Sequence, residues 1–155
     1  MNKRALDRID QQIVARLALD ARTSNRQIAA QLGVTEGTVR GRIKRLEEDH
    51  LIRITAITNI RRLDNPMLGF IWIDVEKSSD IDGVAQALAA LGQLGFVGKM
   101  LGRCDLLAIT MVQDPQQLSD FVHSVISGIP GVRKTDVTLG VKFVKHDYRI
   151  SRIVG

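Results

Sequence analysis

Apolar positions along the chain fall into two regimes. Up to about residue 52 they recur every three or four residues, the spacing of one helix face. From Leu68 onward, short alternating segments take turns with segments of helical period. Leu6, Ile9, Ile13 and Leu17 predict a first helix over 5–19. Asp7 and Asp10 then fall in its first turn, where the helix dipole favours negative charge. The polar stretch Asp20 to Thr23 separates it from a second helix whose stripe is Ile28, Ala29 and Leu32. Ser24, three residues before Gln27, makes a capping box for that helix, and Gly33 is placed to end it in the left-handed conformation. Thr35 is an N-cap for a third helix, with Val34 and Val39 at the spacing of a hydrophobic staple. Val39, Ile43 and Leu46 are its buried face, and Leu51 and Ile52 are expected to close the trihelical core.

Arg53 to Arg62 carries β-branched residues and no helical stripe, so it reads as a strand leaving this domain. A strand with no partner beside it in sequence is safest paired with another chain. Leu63-Asp64-Asn65-Pro66 then breaks regular structure. Leu68 to Glu76 alternates, with Ile71, Ile73 and Val75 on one face and Phe70, Trp72, Asp74 and Glu76 on the other. Asp80 can cap a helix with the stripe Ile81, Val84, Leu88 and Leu91, which Gly92 or Gly95 can end. Strands follow over Phe96 to Leu101 and Leu106 to Val112, joined by the turn Gly102-Arg103-Cys104-Asp105. Asp114-Pro115 starts a helix with a carboxylate cap and proline at its first position; Leu118, Phe121, Val122, Val125 and Ile129 form its stripe. Gly128, Pro130 and Gly131 end it, and Val132 to Val144 is a last strand in which Val137, Leu139, Val141 and Phe143 alternate.

The order βαββαβ predicts a split βαβ, ferredoxin-like sandwich, one antiparallel sheet with both helices on one face. The fold class expected is α+β, with a trihelical helix-turn-helix domain over 1–52, a linking strand and hinge over 53–66, and the sandwich over 67–155. Phe70 and Trp72 lie on the sheet face that the helices do not cover, and an apolar face of this kind marks an association surface. A dimer formed sheet to sheet covers it.

Charge sharpens this picture. Residues 1–62 hold thirteen Lys/Arg against seven Asp/Glu, and residues 63–155 hold nine against ten, so the excess of the +5 chain belongs to the helical end. Its outer surface on the third helix carries Gly37, Gly41 and Lys44, flanked by Arg40 and Arg45. A short helix, a glycine turn and a second helix with a cationic outer face describe a DNA-binding helix-turn-helix. The contacts expected with double-stranded DNA are Ser24, Thr35, Glu36, Gly37, Thr38, Arg40, Gly41, Lys44 and Arg45. With glycines at two outward positions, base reading falls to Thr38, Arg40 and Lys44, and phosphate contacts and DNA shape carry more of the binding.

Other chemistry is sparse. One cysteine excludes an intrachain disulfide and suits a reducing cytoplasm. No run approaches the roughly eighteen apolar residues of a membrane span, and acidic residues in the first twenty argue against a secretory signal. His50, His123 and His146 share no metal-ligand spacing, and no phosphate-binding glycine loop, serine elbow or catalytic cysteine pair occurs. The expectation is a chain without cofactor, metal or membrane partner, and not an enzyme.

The combined order, over roughly 5–145, resembles the leucine-responsive/asparagine-regulator (Lrp/AsnC) family of transcription regulators. The resemblance rests on Leu6-Asp7-Arg8-Ile9-Asp10, Ile13, Leu17, Asp20 and Arg22, then Ile28-Ala29 and Leu32-Gly33-Val34-Thr35. It continues through Val39, Arg42-Ile43, Leu46-Glu47, Leu51-Ile52, Gly102, Asp105-Leu106-Leu107, the Asp114 helix and Gly131-Val132. It implies a cytoplasmic, nucleoid-associated regulator of a bacterium or archaeon. It also implies dimers formed through the C-terminal domains and the linking strand, with Ile54, Ile57, Phe70 and Trp72 at the interface, and further assembly to tetramers or octamers. A small effector, usually an amino acid, is implied near the turn Met100, Leu101, Gly102, Arg103, Cys104 and Asp105, with Asp105 accepting from its α-ammonium group. Cys104 stands where many relatives carry a larger residue. Two alternatives share the architecture: a DNA-binding architectural protein without effector, and a siroheme-decarboxylase-like enzyme, against which the basic outer face argues.

Overall fold

A computed structural model describes residues 5–56 and 58–144, with the Arg61 side chain outside that description. The chain divides into two compact units, one ending at Thr58 and the other beginning at Asn59.

The first unit holds α1 (Arg8–Leu19), α2 (Asn25–Leu32) and α3 (Glu36–Glu48). The first helix starts three residues later than its apolar spacing predicts, because Asp7 is its N-cap: the carboxylate accepts the Asp10 N–H at 2.8 Å and the chain enters extended. At α2 the capping box closes both ways between Ser24 and Gln27, and Gly33 follows with φ 65°. Thr35 caps α3 by accepting the Thr38 N–H. Ile13, Ile28, Ala29 and Val39 are the buried centre, with Ile9, Leu17, Leu32, Val34 and Ile43 packed around them. Leu51 and Ile52 do not close this core. Leu51 is exposed and Ile52 half-buried, because the N–H groups of both turn back to the Leu46 carbonyl, with His50 in the left-handed region between.

The strand expected over Arg53 to Arg62 is not formed among the described residues. Arg53 to Ala56 is irregular, and Ile60–Arg62 is a 3₁₀ turn anchored by the buried Ile60 side chain. A ladder needs a neighbouring strand to accept its N–H groups, and none is paired with this segment among the described residues.

The second unit runs β1 (Met67–Val75), α4 (Ile81–Ala89), β2 (Leu94–Lys99), β3 (Leu106–Val112), α5 (Pro115–Phe121) and β4 (Val132–Gly140). The four strands order as β2-β3-β1-β4 and every pairing is antiparallel, the ferredoxin-like sandwich. Ile71, Ile73, Val75, Leu106, Ala108 and Val112 of the sheet pack on Val84, Leu88, Leu118, Val122 and Ile126 of the helical layer.

Several boundaries differ from the pattern's prediction. Asp80 does not cap α4 through its side chain; a 3₁₀ turn over Ser78–Asp80 leads into the helix instead. Neither Gly92 nor Gly95 ends α4, which stops at Ala89 with Ala90 still in the right-handed region. The second strand begins at Leu94 and ends at Lys99, since a register slip between Leu94 and Phe96 lets it pair with β3 earlier. After Phe121 the helix widens into a π turn over Val122–Ile126; Leu118, Val122 and Ile126 become its buried positions, Phe121 and Ile129 pack at the edge of the core, and Val125 is not part of it. The last strand stops at Gly140, where its pairing with Leu68 ends, and Val137, Val141 and Val144 are exposed.

Candidate nucleic-acid interface and effector turn

The buried stripe of α3 fixes which residues face outward. With Val39 and Leu46 inside, Glu36, Gly37, Thr38, Arg40, Gly41, Lys44 and Arg45 are all exposed, as are Ser24 and Thr35 at the helix starts. Eight of the nine lie at the start or on the outer surface of α3, whereas Ser24 is at the start of α2, the end of that helix away from the α2–α3 turn. Their side chains are not equally free. Arg40 bridges Glu36 at 2.5 Å, and Lys44 lies 3.7 Å from Glu48. The Thr38 hydroxyl is tied to the Thr35 hydroxyl at 2.8 Å, so it is already engaged in the helix start.

Sequence reading assigned Asp7 and Asp10 to the helix dipole and missed their partner. Arg42 reaches from α3 to Asp7 at 2.5 Å and to Asp10 at 2.7 Å, across the base of α1. Asp10 is fully buried and the Arg42 side chain is 20% exposed. The available signal was Arg42's position, three after Val39 and four before Leu46, which places a guanidinium on the rim of the buried stripe.

Gly37 and Gly41 need no glycine for their own chain. A Cβ at Gly41 would meet nothing within 4 Å, one at Gly37 would meet only Thr35 Oγ1 at 3.9 Å, and neither has a positive φ. Replacing both by alanine is expected to raise unfolding free energy by about 0.5–1 kcal/mol per site, measured by urea titration. A loss of stability would show that the fold itself requires them.

In the second unit, the turn after β2 is held from inside. The Met100 N–H donates to the Asp105 carbonyl at 2.9 Å, and the Asp105 N–H donates to the Ile73 carbonyl at 3.1 Å. Asp105 Oδ2 accepts the Val75 N–H at 2.9 Å, so one carboxylate oxygen caps the central strand. Cys104 is buried beneath the turn, its thiol donating to the Leu106 carbonyl at 3.2 Å. Gly102 has φ 119°, which a side chain would strain. Met100, Leu101 and Arg103 are the exposed side chains, and the Arg103 guanidinium lies 4.9 Å from the centre of the Trp72 ring.

Phe70 and Trp72 are half-buried on the sheet face opposite the helices. Phe70 is opposite Ile109 and Thr138 in the ladder, and Trp72 is opposite Leu107, its indole N–H donating to Thr138. Ile54 is exposed in the first unit, and Ile57 lies outside the described residues. His50 and His123 are exposed, and His146 is also outside the description; among the described residues no three metal-ligating side chains cluster. No helix among them is long and apolar enough to cross a membrane.

Comparison with known proteins covers both units. Residues 6–47 match the AsnC-type helix-turn-helix domain, and residues 64–153 match the C-terminal dimeric alpha+beta barrel domain of AsnC-type regulators. A helix-turn-helix-type transcriptional regulator of Pyrococcus abyssi is 31% identical over 144 residues, spanning 92% of this chain and 90% of that protein. Among solved structures, AsnC of E. coli superposes with TM-score 0.76 at 19% identity, over 92% of this chain and 97% of that one. A Neisseria meningitidis transcriptional regulator solved as a complex with L-methionine superposes with TM-score 0.77 at 20% identity, over 94% and 96%.

Proposed function

The chain belongs to the Lrp/AsnC family of DNA-binding transcription regulators, and on that premise we propose that α3 reads specific sequences in double-stranded DNA while a small effector at the 100–105 turn tunes the assembly. The observation that carries the DNA reading is the outer face of α3, where Arg40, Lys44 and Arg45 are exposed while Arg42 is turned inward. Recognition helices of this motif present such a face to the major groove, with phosphate contacts fixing their register.

Two copies pack sheet to sheet through Phe70 and Trp72, and further assembly to tetramers or octamers builds on that dimer. Paired α3 helices then meet half-sites about one helical turn apart, or a multiple of it. The protein works in the cytoplasm, on nucleoid DNA. At the turn, Gly102 lets a ligand approach the backbone, and Met100 and Leu101 offer apolar contact. The second oxygen of Asp105 is the acceptor for an ammonium group, since Oδ2 already caps Val75. The Neisseria neighbour's methionine complex supports an amino acid as the effector class.

A thermal-shift screen of the twenty amino acids tests the effector. A ligand that binds only the folded state raises the midpoint, by about 2.7 kcal/mol of stability at one hundred times its dissociation constant. A rise with one amino acid or a few related ones is expected. No shift with any of them would overturn the effector and favour an architectural DNA-binding role.

A further inference from the structure

We infer that Glu36 and Arg40 act as one specificity-determining unit, an acceptor and a donor that together select a G·C pair and hold the helix off other sequences. The inference rests on the DNA reading above and assigns its base-reading chemistry. The N-terminal turns of a recognition helix are the part that reaches base edges. In α3 those turns hold few side chains able to read. Gly37 and Gly41 have none, the Thr38 hydroxyl is bonded to Thr35, and Arg42 is turned inward onto Asp7 and Asp10. Val39 is fully buried. What remains is Glu36 at the first helical position and Arg40 one turn later, bridged at 2.5 Å with both side chains exposed.

The chemistry of the pair is complementary to one base pair. Arginine donates two hydrogen bonds to guanine O6 and N7, and glutamate accepts from cytosine N4. Surface bridges one helical turn apart are weak, so exchanging the bridge for base contacts costs little. Where a guanine or thymine edge stands in place of the cytosine, Glu36 finds no donor. Its charge then faces phosphates, and beside Arg40 it offsets part of that cation's attraction to the backbone. The pair therefore opposes indiscriminate binding as well as favouring the right site. The bare glycine backbone between and beyond the two side chains lets the helix approach closely enough for a first-turn carboxylate to reach a base.

The test uses the full-length protein and its Glu36→Gln variant, each taken through selection from a random duplex library and then titrated on the selected and on random duplexes. The substitution keeps size and exposure, and an unchanged thermal midpoint establishes that the fold is intact. Expected for Glu36→Gln is several-fold tighter binding to random duplex, with a salt slope steeper by about 0.9 as Arg40 gains a phosphate. The selected motif should also lose its preference at one G·C position. Arg40→Gln should lose the same position while binding random duplex more weakly. If wild type and Glu36→Gln select the same motif and bind random duplex equally, the inference is wrong while the DNA reading stands. If wild type binds no duplex at all, both fall.

Discussion

Replacing Arg42 by alanine is expected to destabilise the helix-turn-helix unit by about 3 kcal/mol and to abolish DNA binding without any lost DNA contact. The substitution takes from the fully buried Asp10 the guanidinium 2.7 Å away. Removing one member of a buried pair costs about 3–5 kcal/mol, and Arg42's partial exposure places this case at the lower end. The unit's hydrophobic cluster centres on four buried side chains among the described residues, so a loss of that size is a large share of what holds it together. Urea unfolding followed by helical circular dichroism, beside duplex binding, measures both effects; a change below about 1 kcal/mol would remove the network from the explanation of how α3 is held.

The same network makes the unit acid-sensitive. The Asp10 N–H and then the Arg42 guanidinium hold the Asp7 carboxyl below its ordinary range. Folded Asp7 therefore binds fewer protons than unfolded Asp7 across the carboxylate range. Its contribution is complete above about pH 4 and is lost as pH falls through the folded value. Arg42, held above its ordinary value first by Asp7 and then by Asp10, adds no dependence below strong alkali. An Asp7→Asn variant should show a flatter loss of stability in acid than the wild type.

Leu118→Ala is expected to cost the sandwich about 2–5 kcal/mol, the range for emptying a filled core position. Leu118 is buried against the bare backbone of Gly69: a Cβ there would lie 2.7 Å from Leu118 Cδ1 and 2.9 Å from Cδ2. Gly69→Ala alone should then cost about 1–3 kcal/mol by overpacking. Combined with Leu118→Ala, the new methyl enters the space the leucine leaves. The double variant should therefore be less destabilised than the two single losses added, by about 1 kcal/mol or more. Additive losses would mean that β1 and α5 do not interlock at this point.

What sequence pattern could reach was local. The Ser24–Gln27 box, Gly33 in the left-handed region, Thr35 at the start of α3 and Asp114-Pro115 at the start of α5 each depend on residues within three or four positions. The strand Leu106–Val112 was readable as a short run, apolar at every position but Thr110, between the Gly102–Asp105 turn and Asp114-Pro115. Partners distant in sequence were not. Arg42 meets Asp10 across thirty-two positions, and Arg103 meets Trp72 across thirty-one. The π turn at Val122–Ile126 and the early end of β4 at Gly140 follow from packing and pairing, which periodicity does not encode. The segment Arg53 to Arg62 has strand composition, yet among the described residues it joins no ladder.

In the candidate sites the division is similar. Every residue expected at the DNA is exposed on α3 or at the helix starts, because outward position follows from the buried stripe. Which of those side chains are already engaged did not follow from it. Thr38 is tied to Thr35, Arg40 to Glu36, and one oxygen of Asp105 to Val75. Those ties decide which groups remain to meet a base, a phosphate or a ligand.

The central claim is that α3 binds DNA through its exposed cations, and salt titration of duplex binding by the full-length protein tests it most directly. Fluorescence anisotropy with a labelled duplex between 50 and 200 mM salt should give a straight line of log affinity against log salt. With Lys44 and Arg45 on phosphates, each bound α3 should contribute a slope of about −2. A slope near zero over that range, or equal affinity after Lys44 and Arg45 are both replaced by glutamine, would contradict it.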